Sequence, residues 1–376
     1  MRFTESQQQY ADAVRALCAE LSPAHAMRGG SGDESLHDQQ VLQMLADRDL
    51  LGVSLPAADG GAGRTFVEEC VLLEETSRAG LPVVAYSTAL TAAQTYLRWG
   101  SEEQRHEIVT TIRGGGLESI TFTEPDAGSD LSAVATSARR VADGFVLNGR
   151  KRWISFAHLA AHLLVLARTD ASGGRHDGLT LLMVPAGTPG VTITPLQTMG
   201  PHMVNEVLLD DVGVPASAVV GTEGEAWRHI LRGLSVERVI IAAMSVGAAQ
   251  RALDTLLAHV RSRVQFGRPI GSFQAVRHRI ADLATEIAHC RAFVYDVADR
   301  IDAGEEAALN REGSMAKLKA TEVAKLAALE GVQLMGGYGY GTEWGMEQQL
   351  RLAIAPPIYG GANEVQRDII GKSMGL

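Results

Sequence analysis

A glutamate stands where an apolar helix begins: Glu237-Arg238 is followed by VIIAA, and residues 239–249 are apolar nearly all round a helical wheel. A carboxylate at the edge of such a helix loses solvation, and its pKa rises towards the range useful to a general base. The same residue paired with Arg238 or another arginine would only brace helix packing. The glycines are the other pattern. GG pairs at 29–30, 60–61, 114–115, 336–337 and 360–361 mark turns or close backbone approaches. The cluster GGYGYG at 336–341 follows a helical stretch, so alone it is a helix C-terminal turn. No GxGxxG opens a βαβ unit, and GxxxxGK[ST], HExxH and GxSxG are absent, which disfavours a Rossmann site, a P-loop, a zincin and an α/β-hydrolase. Cys18, Cys70 and Cys290 lie far apart without a CxxC partner, so no disulfide framework, zinc knuckle or other metal site is expected.

The elements that would hold these residues follow from periodicity. From residue 4 to about 117, apolar residues recur at three and four, as in Tyr10, Val14, Leu17 and Leu21, predicting a helical bundle. From 118 to 225 the runs TSARRV, FVLNG, HLLVLART, GLTLLMV, GVTITPL and NEVLLDDV alternate with Gly, Pro and Asp, predicting a central antiparallel β domain with turns at Asp143-Gly144 and Asn148-Gly149. Helical periodicity returns over 226–263, 273–303 and 310–335, so residues 226–376 are expected to form a C-terminal helical bundle. The fold class is α+β and multidomain, in the order α, β, α, with residues 25–34 the longest expected mobile region.

Composition narrows the partners. The 376 residues are 46% hydrophobic and 21% charged, enough to bury a core, and the net charge of −10 disfavours nucleic acid and anionic lipid. No uncharged apolar run reaches about 18 residues and no export signal opens the chain, so no membrane span and a reducing, cytoplasmic location are expected. The five lysines against 29 arginines read as a coding bias.

Four strings in order carry a resemblance: TFTEPDAGSD at 121–130, GRKRWIS at 149–155, RSRVQFGRPIGSFQAVRHRIAD at 261–282, and EGVQLMGGYGYGTEWGMEQQLR at 330–351 running into PPIYGGANEVQRDIIG at 356–371. Together they resemble the acyl-CoA dehydrogenase family of flavoenzymes over essentially the whole chain. The resemblance implies FAD held between the β domain and the C-terminal four-helix bundle. Phe122, Thr123, Gly128 and Ser129 would line the flavin and its phosphate end, with Trp153 against one ring face and Ser155 near its polar edge. Arg263, Gln265, Phe266, Phe273 and Gln274 would reach a neighbouring subunit's FAD, Gln333 and Gly337 would touch the dinucleotide, and Glu364 is assigned to the same cofactor. The active form would then be a homo-oligomer, a dimer of dimers, or a heterotetramer.

The implied reaction oxidises an acyl thioester across its α and β carbons to the trans-2-enoyl product, with electron-transferring flavoprotein as acceptor. Many relatives carry the base in Ile-Tyr-Glu-Gly-Thr; here the string is Ile358, Tyr359, Gly360, Gly361, Ala362, and the glutamate is missing. A minority, the isovaleryl and long-chain types, place it in a Glu-Arg string, which assigns Glu237 as base. The Gly360 N–H would still serve the thioester carbonyl, while Arg238, Ser129 and Gly361 would contact the substrate or nearby backbone. Ala362, Leu352, Ala57 and Asp126 also depart from the common pattern. Two other readings stand beside this one: a dehydrogenase of carrier-protein-tethered acyl groups, and a non-catalytic subunit of a heteromeric enzyme.

Overall fold

Short polar sequences set the helix boundaries in a computed structural model that describes residues 3–28 and 39–376. Helices α1 (Glu5–Arg28), α2 (Gln39–Ala46), α3 (Phe66–Ala79), α4 (Val84–Trp99) and α5 (Glu102–Arg113) come first. Thr65 and Glu68 close a reciprocal capping box at the start of α3, as Ser101 and Gln104 do for α5. The expected mobile stretch begins inside α1, which continues to Arg28; the rest of it lies outside the described residues, as does the first GG pair.

The strands follow: β1 (Leu117–Thr121), β2 (Ser137–Val141), β3 (Gly144–Ser155), β4 (Ala160–Arg168), β5 (Leu179–Pro185), β6 (Val191–Pro195), β7 (Val204–Pro215) and β8 (Val219–Val220). They form one eight-stranded sheet in the order β6-β7-β3-β2-β4-β5-β8, with β1 on β4. Most pairs are antiparallel as expected, but β1 and the start of β2 run parallel to β4. Its core face carries Phe145, Leu147, Leu163, Val165, Leu182, Val184, Val207 and Leu209.

One expected turn is absent. Asn148-Gly149 lies inside β3, where the register with β7 slips between Leu147 and Gly149. The Asn148 amide exchanges two 2.9 Å hydrogen bonds with Asp211, and a Cβ at Gly149 would lie 2.3 Å from Thr136 Oγ1. The glycine therefore serves a bulge and a close approach, and the strand continues.

The remaining elements are α6 (Ala226–Ser262), the two-stranded hairpin β9 (Val264–Gln265) and β10 (Arg268–Pro269), α7 (Gln274–Asp302), α8 (Asn310–Met335), the short α9 (Gly337–Tyr340), α10 (Met346–Ala353) and α11 (Asn363–Ser373). Among the described residues one stretch, Ser235–Ser262 of α6, is long and apolar enough to span a bilayer, yet 72% of its most apolar window is buried inside the chain. That is the environment of a bundle's central helix. At Gly247 a Cβ would lie 2.1 Å from the Glu74 carbonyl oxygen, so glycine lets α3 pass against α6. The first amides of α3 donate to Asp302 at the end of α7, at 2.7 and 3.0 Å.

The chain divides into two compact units. A helical unit holds residues 1–32, 65–81 and 235–376; a mixed unit holds 33–64 and 82–234, including the sheet. By compactness, α1 and α3 go with the C-terminal helices, while α2, α4 and α5 go with the sheet. All three cysteines are free and buried, and burial pushes Cys18 up to about 12 and Cys290 up to about 11.

Candidate active site

In the mixed unit, the loop leaving β1 is tied down by one side chain. Lys151, wholly buried on β3, donates to the carbonyls of Phe122 at 3.0 Å and Leu166 at 2.6 Å and to Glu124 Oε1 at 2.9 Å. The Glu124 carboxylate also accepts the amides of Ala135 and Thr136, at 2.8 and 2.9 Å. Burial pushes Lys151 down to about 8 despite that pairing, while Glu124, which burial alone would raise, is held below its usual value by Lys151 and its other donors. Arg152 N donates to the Thr123 carbonyl at 2.9 Å, completing the staple. Phe122 and Thr123 are half-buried on this anchored segment, and Gly128 and Ser129 are exposed beyond it. A Cβ at Gly128 would meet nothing within 4 Å, so the backbone faces open space that a ligand could approach.

Trp153 is the outlier on this face. It sits at a second slip in the β3–β7 register with φ 64°, and its indole is 52% exposed. A bulky residue held in the left-handed region costs about 1–2 kcal/mol, and the Arg152 guanidinium lies 5.1 Å from the indole ring centre. Asn205 donates to the Ile154 carbonyl at 3.1 Å, and Ser119 Oγ donates to that of Ser155 at 2.7 Å, which fixes the backbone on either side. The half-buried Ser155 lies two residues on.

In the helical unit, the end of α6 and the end of α8 border a cavity of about 610 Å³. Arg263, Gln265, Gln333 and Gly337, four of the residues singled out from sequence, line it together. His259, Tyr338, Trp344 and the carboxylate Glu343, none of them singled out from sequence, also line it. Arg263 lies 5.1 Å from the Tyr338 ring centre, and burial with the Arg263 charge lowers the pKa of His259, favouring its neutral form. Gly336, at φ 61°, ends α8 and starts the turn that the glycine cluster suggested. Phe266, Phe273 and Gln274 are not part of this wall: Phe266 is 94% exposed on the β9–β10 hairpin, packs edge-on to Phe273, and Gln274 begins α7 in solvent.

The third cluster surrounds Glu237, half-buried near the start of the apolar part of α6. Its carboxylate makes no hydrogen bond or ion pair among the described residues; burial raises its pKa, against the opposing pull of Arg238 and Lys317. The expected alternative, a brace to Arg238, is not formed, because Arg238 donates to Asn310 Oδ1 at 2.5 Å and to the Asn310 carbonyl at 3.2 Å. Gly360, at φ 62°, faces this carboxylate: a Cβ there would be 3.5 Å from Glu237 Oε1 and 2.3 Å from Ile241 Cδ1. Position 360 and Glu237 therefore share one space. Lys317 Nζ donates to the Gly361 carbonyl at 2.9 Å, and Gln366 Nε2 donates to the carbonyls of Gly360 and Gly361 at 3.2 and 2.9 Å. Glu364 is 82% exposed and 3.8 Å from Arg367, and its charge still acts on Lys317. No group of three or more metal-ligating side chains occurs among the described residues.

The helical unit thus offers a carboxylate without a hydrogen bond among the described residues beside an open backbone turn, and an aromatic cavity holding Arg263 and Glu343; the mixed unit offers an exposed indole at a left-handed position. The sequence matches family models for the acyl-CoA dehydrogenase N-terminal domain over residues 4–115, middle domain over 119–212 and C-terminal domain over 224–375. It is 35% identical over 378 residues to a probable acyl-CoA dehydrogenase of Bacillus subtilis, covering 99% of this chain and 98% of that protein. Mitochondrial isovaleryl-CoA dehydrogenase of Oryza sativa is 32% identical over 380 residues, covering 99% and 92%. Among solved structures, the prolyl acyl carrier protein oxidase AnaB superposes with a TM-score of 0.90 at 29% identity, covering 100% of both chains.

Proposed function

Because the chain belongs to the acyl-CoA dehydrogenase family of FAD-dependent oxidoreductases, we propose that it removes the α proton of an acyl-CoA with Glu237 and yields the trans-2-enoyl thioester. The observation that carries this is the unpaired Glu237 carboxylate, 3.5 Å from where a side chain at Gly360 would begin. An α proton of a thioester is weakly acidic, so its removal needs a base whose carboxylate is not already committed to another partner. It also needs a donor for the carbonyl oxygen, where negative charge develops. The Gly360 N–H, which has no acceptor among the described residues, fits that role.

The residues present fit FAD. Trp153 offers an exposed ring, the Gly128 backbone faces open space, and in the cavity lined by Gln333, Gly337 and Glu343 the Arg263 guanidinium is the group that suits a diphosphate. When bound, FAD supplies the acceptor for the hydride leaving the β carbon. Arg263 follows the end of α6, roughly 38 Å along that helix from Glu237. We read the active form as an assembly of at least two copies, in which this cavity serves a neighbour's FAD. Electron-transferring flavoprotein is the acceptor in this reading.

The similarity to AnaB favours a second reading, in which the acyl group is tethered to a carrier protein. Anaerobic titration with straight, branched and bulky acyl-CoAs tests both. Bleaching of the oxidised flavin by an acyl-CoA supports the first reading; bleaching only by a carrier-bound thioester supports the second. Glu237→Gln should retain FAD and slow bleaching by about 10²–10⁴-fold. Wild-type rates in that variant would refute Glu237 as base.

A further inference from the structure

We propose that Lys317 is a positioning residue for this reaction: its buried ammonium fixes the turn that sets the Gly360 N–H beside Glu237, and it supplies a positive charge to that cluster. The inference rests on the reading of Glu237 as base.

Lys317 has no solvent exposure. Besides the Gly361 carbonyl, it donates to Asn363 Oδ1 at 3.1 Å, and Gln366 holds the Gly360 and Gly361 carbonyls from the other side. Gly360 and Gly361 both have positive φ, 62° and 79°, a conformation that needs such anchoring to persist. With its carbonyls occupied by side chains, the turn retains its backbone amides for a substrate oxygen. A glutamine could make similar bonds without the cost of burying a cation. Burial pushes Lys317 down to about 8, and among the described residues no carboxylate forms an ion pair with it. The charge must therefore be offset at a distance, and Glu237 is the largest favourable influence upon it. Around this pair, Arg238 on α6 opposes Lys317 and also favours ionised Glu237, while Glu364 on α11 favours charged Lys317. Tyr359 remains neutral, its phenol pushed up by burial.

The experiment separates charge from anchoring with Lys317→Gln and Lys317→Met in the FAD-loaded protein. Single-turnover flavin reduction by an acyl thioester that bleaches the wild type is followed against pH, alongside FAD content. Both variants should shift the acid limb of the rate to higher pH, because neither retains the cation that favours ionised Glu237. Lys317→Met should also lose about tenfold or more of the plateau rate as the turn loosens, and Lys317→Gln should recover part of it. An unchanged acid limb in both variants, with Glu237→Gln still inactive, would overturn the inference and leave the base assignment standing. Fast bleaching by Glu237→Gln would instead overturn the base assignment. If neither lysine variant folds, ¹⁵N-lysine labelling of the wild type and Glu237→Gln decides the matter. One of the two buried-lysine Nζ signals should move on that substitution, and two unmoved signals would overturn the proposal.

Discussion

Lys151 in the mixed unit and Lys317 in the helical unit are both wholly buried, and burial pushes both down to about 8. Their glutamates differ. Glu124 receives Lys151 at 2.9 Å together with two backbone amides, and its pKa is held below the usual value. Glu237 receives no hydrogen bond among the described residues, and its pKa is raised by burial that nearby cations only partly oppose. A carboxylate that accepts three hydrogen bonds, at least one on each oxygen, is a structural fastener. One left unpaired near a cation retains the basicity needed to take a proton. The contrast shows why burial of a charge does not by itself identify a catalytic group: the hydrogen bonds distinguish the two.

The largest test of that contrast is Glu124→Gln. Removing one partner of a buried pair costs about 3–5 kcal/mol, because the other charge is left behind. Lys151 limits the loss by shedding its proton, and sheds it at lower pH once the Glu124 charge that raises it is gone, so the penalty should shrink as pH rises towards about 8 and level off above it. Denaturant unfolding at pH 6 and pH 9 measures this, and FAD retention should fall with it because Lys151 and Glu124 hold the Phe122–Thr123 segment. A loss below 1 kcal/mol at pH 6 would show that this pair is no fastener.

Gly360→Ala probes the other side of the comparison with a smaller effect. The left-handed φ costs an L-residue about 1–2 kcal/mol. The new methyl also meets Ile241 Cδ1 at 2.3 Å, though that atom ends a flexible side chain and can move. Ile241→Val in the same protein should recover the clash but not the backbone cost. Full recovery would mean that the turn tolerates a side chain and that glycine there reflects space alone.

The sequence made the four site strings and the α, β, α order legible because both rest on local patterns. The same local logic misread Asn148-Gly149 as a turn, since a bulge depends on β7 and Thr136 across the sheet. It also passed over both buried lysines, reading the scarcity of lysine as coding bias. A signal was present. Lys151 sits between Arg150 and Arg152, both paired with Glu206, so strand alternation turns the lysine inward. On α8, Lys317 follows Gly313 by four residues and precedes Ala320 and Ala324 by three and seven, on the buried face, whereas Lys319 is exposed and pairs with Glu286. What no periodicity could supply is the partner: whether Glu237 would meet Arg238 was decided by Asn310, 72 residues away.

The smallest effect is also the most discriminating, because it has the opposite sign to that of Glu124→Gln. Glu237 has a folded-state pKa above its unfolded value of 4.5. Between those two values the native protein binds more protons than the unfolded chain, so its contribution to stability is fully present below about pH 4.5 and lost as pH rises through the folded pKa. At neutral pH the ionised carboxylate therefore weighs against folding, and Glu237→Gln removes that burden while nearly preserving shape. The variant should melt about 1–3 °C above the wild type at pH 7. The gain should narrow as both proteins are taken towards pH 4.5, in thermal scans of the FAD-loaded forms without substrate. A base site that gives up stability for reactivity is the physical meaning of the unpaired carboxylate, and a lower melting temperature at pH 7 would place Glu237 beside Glu124 among the fasteners.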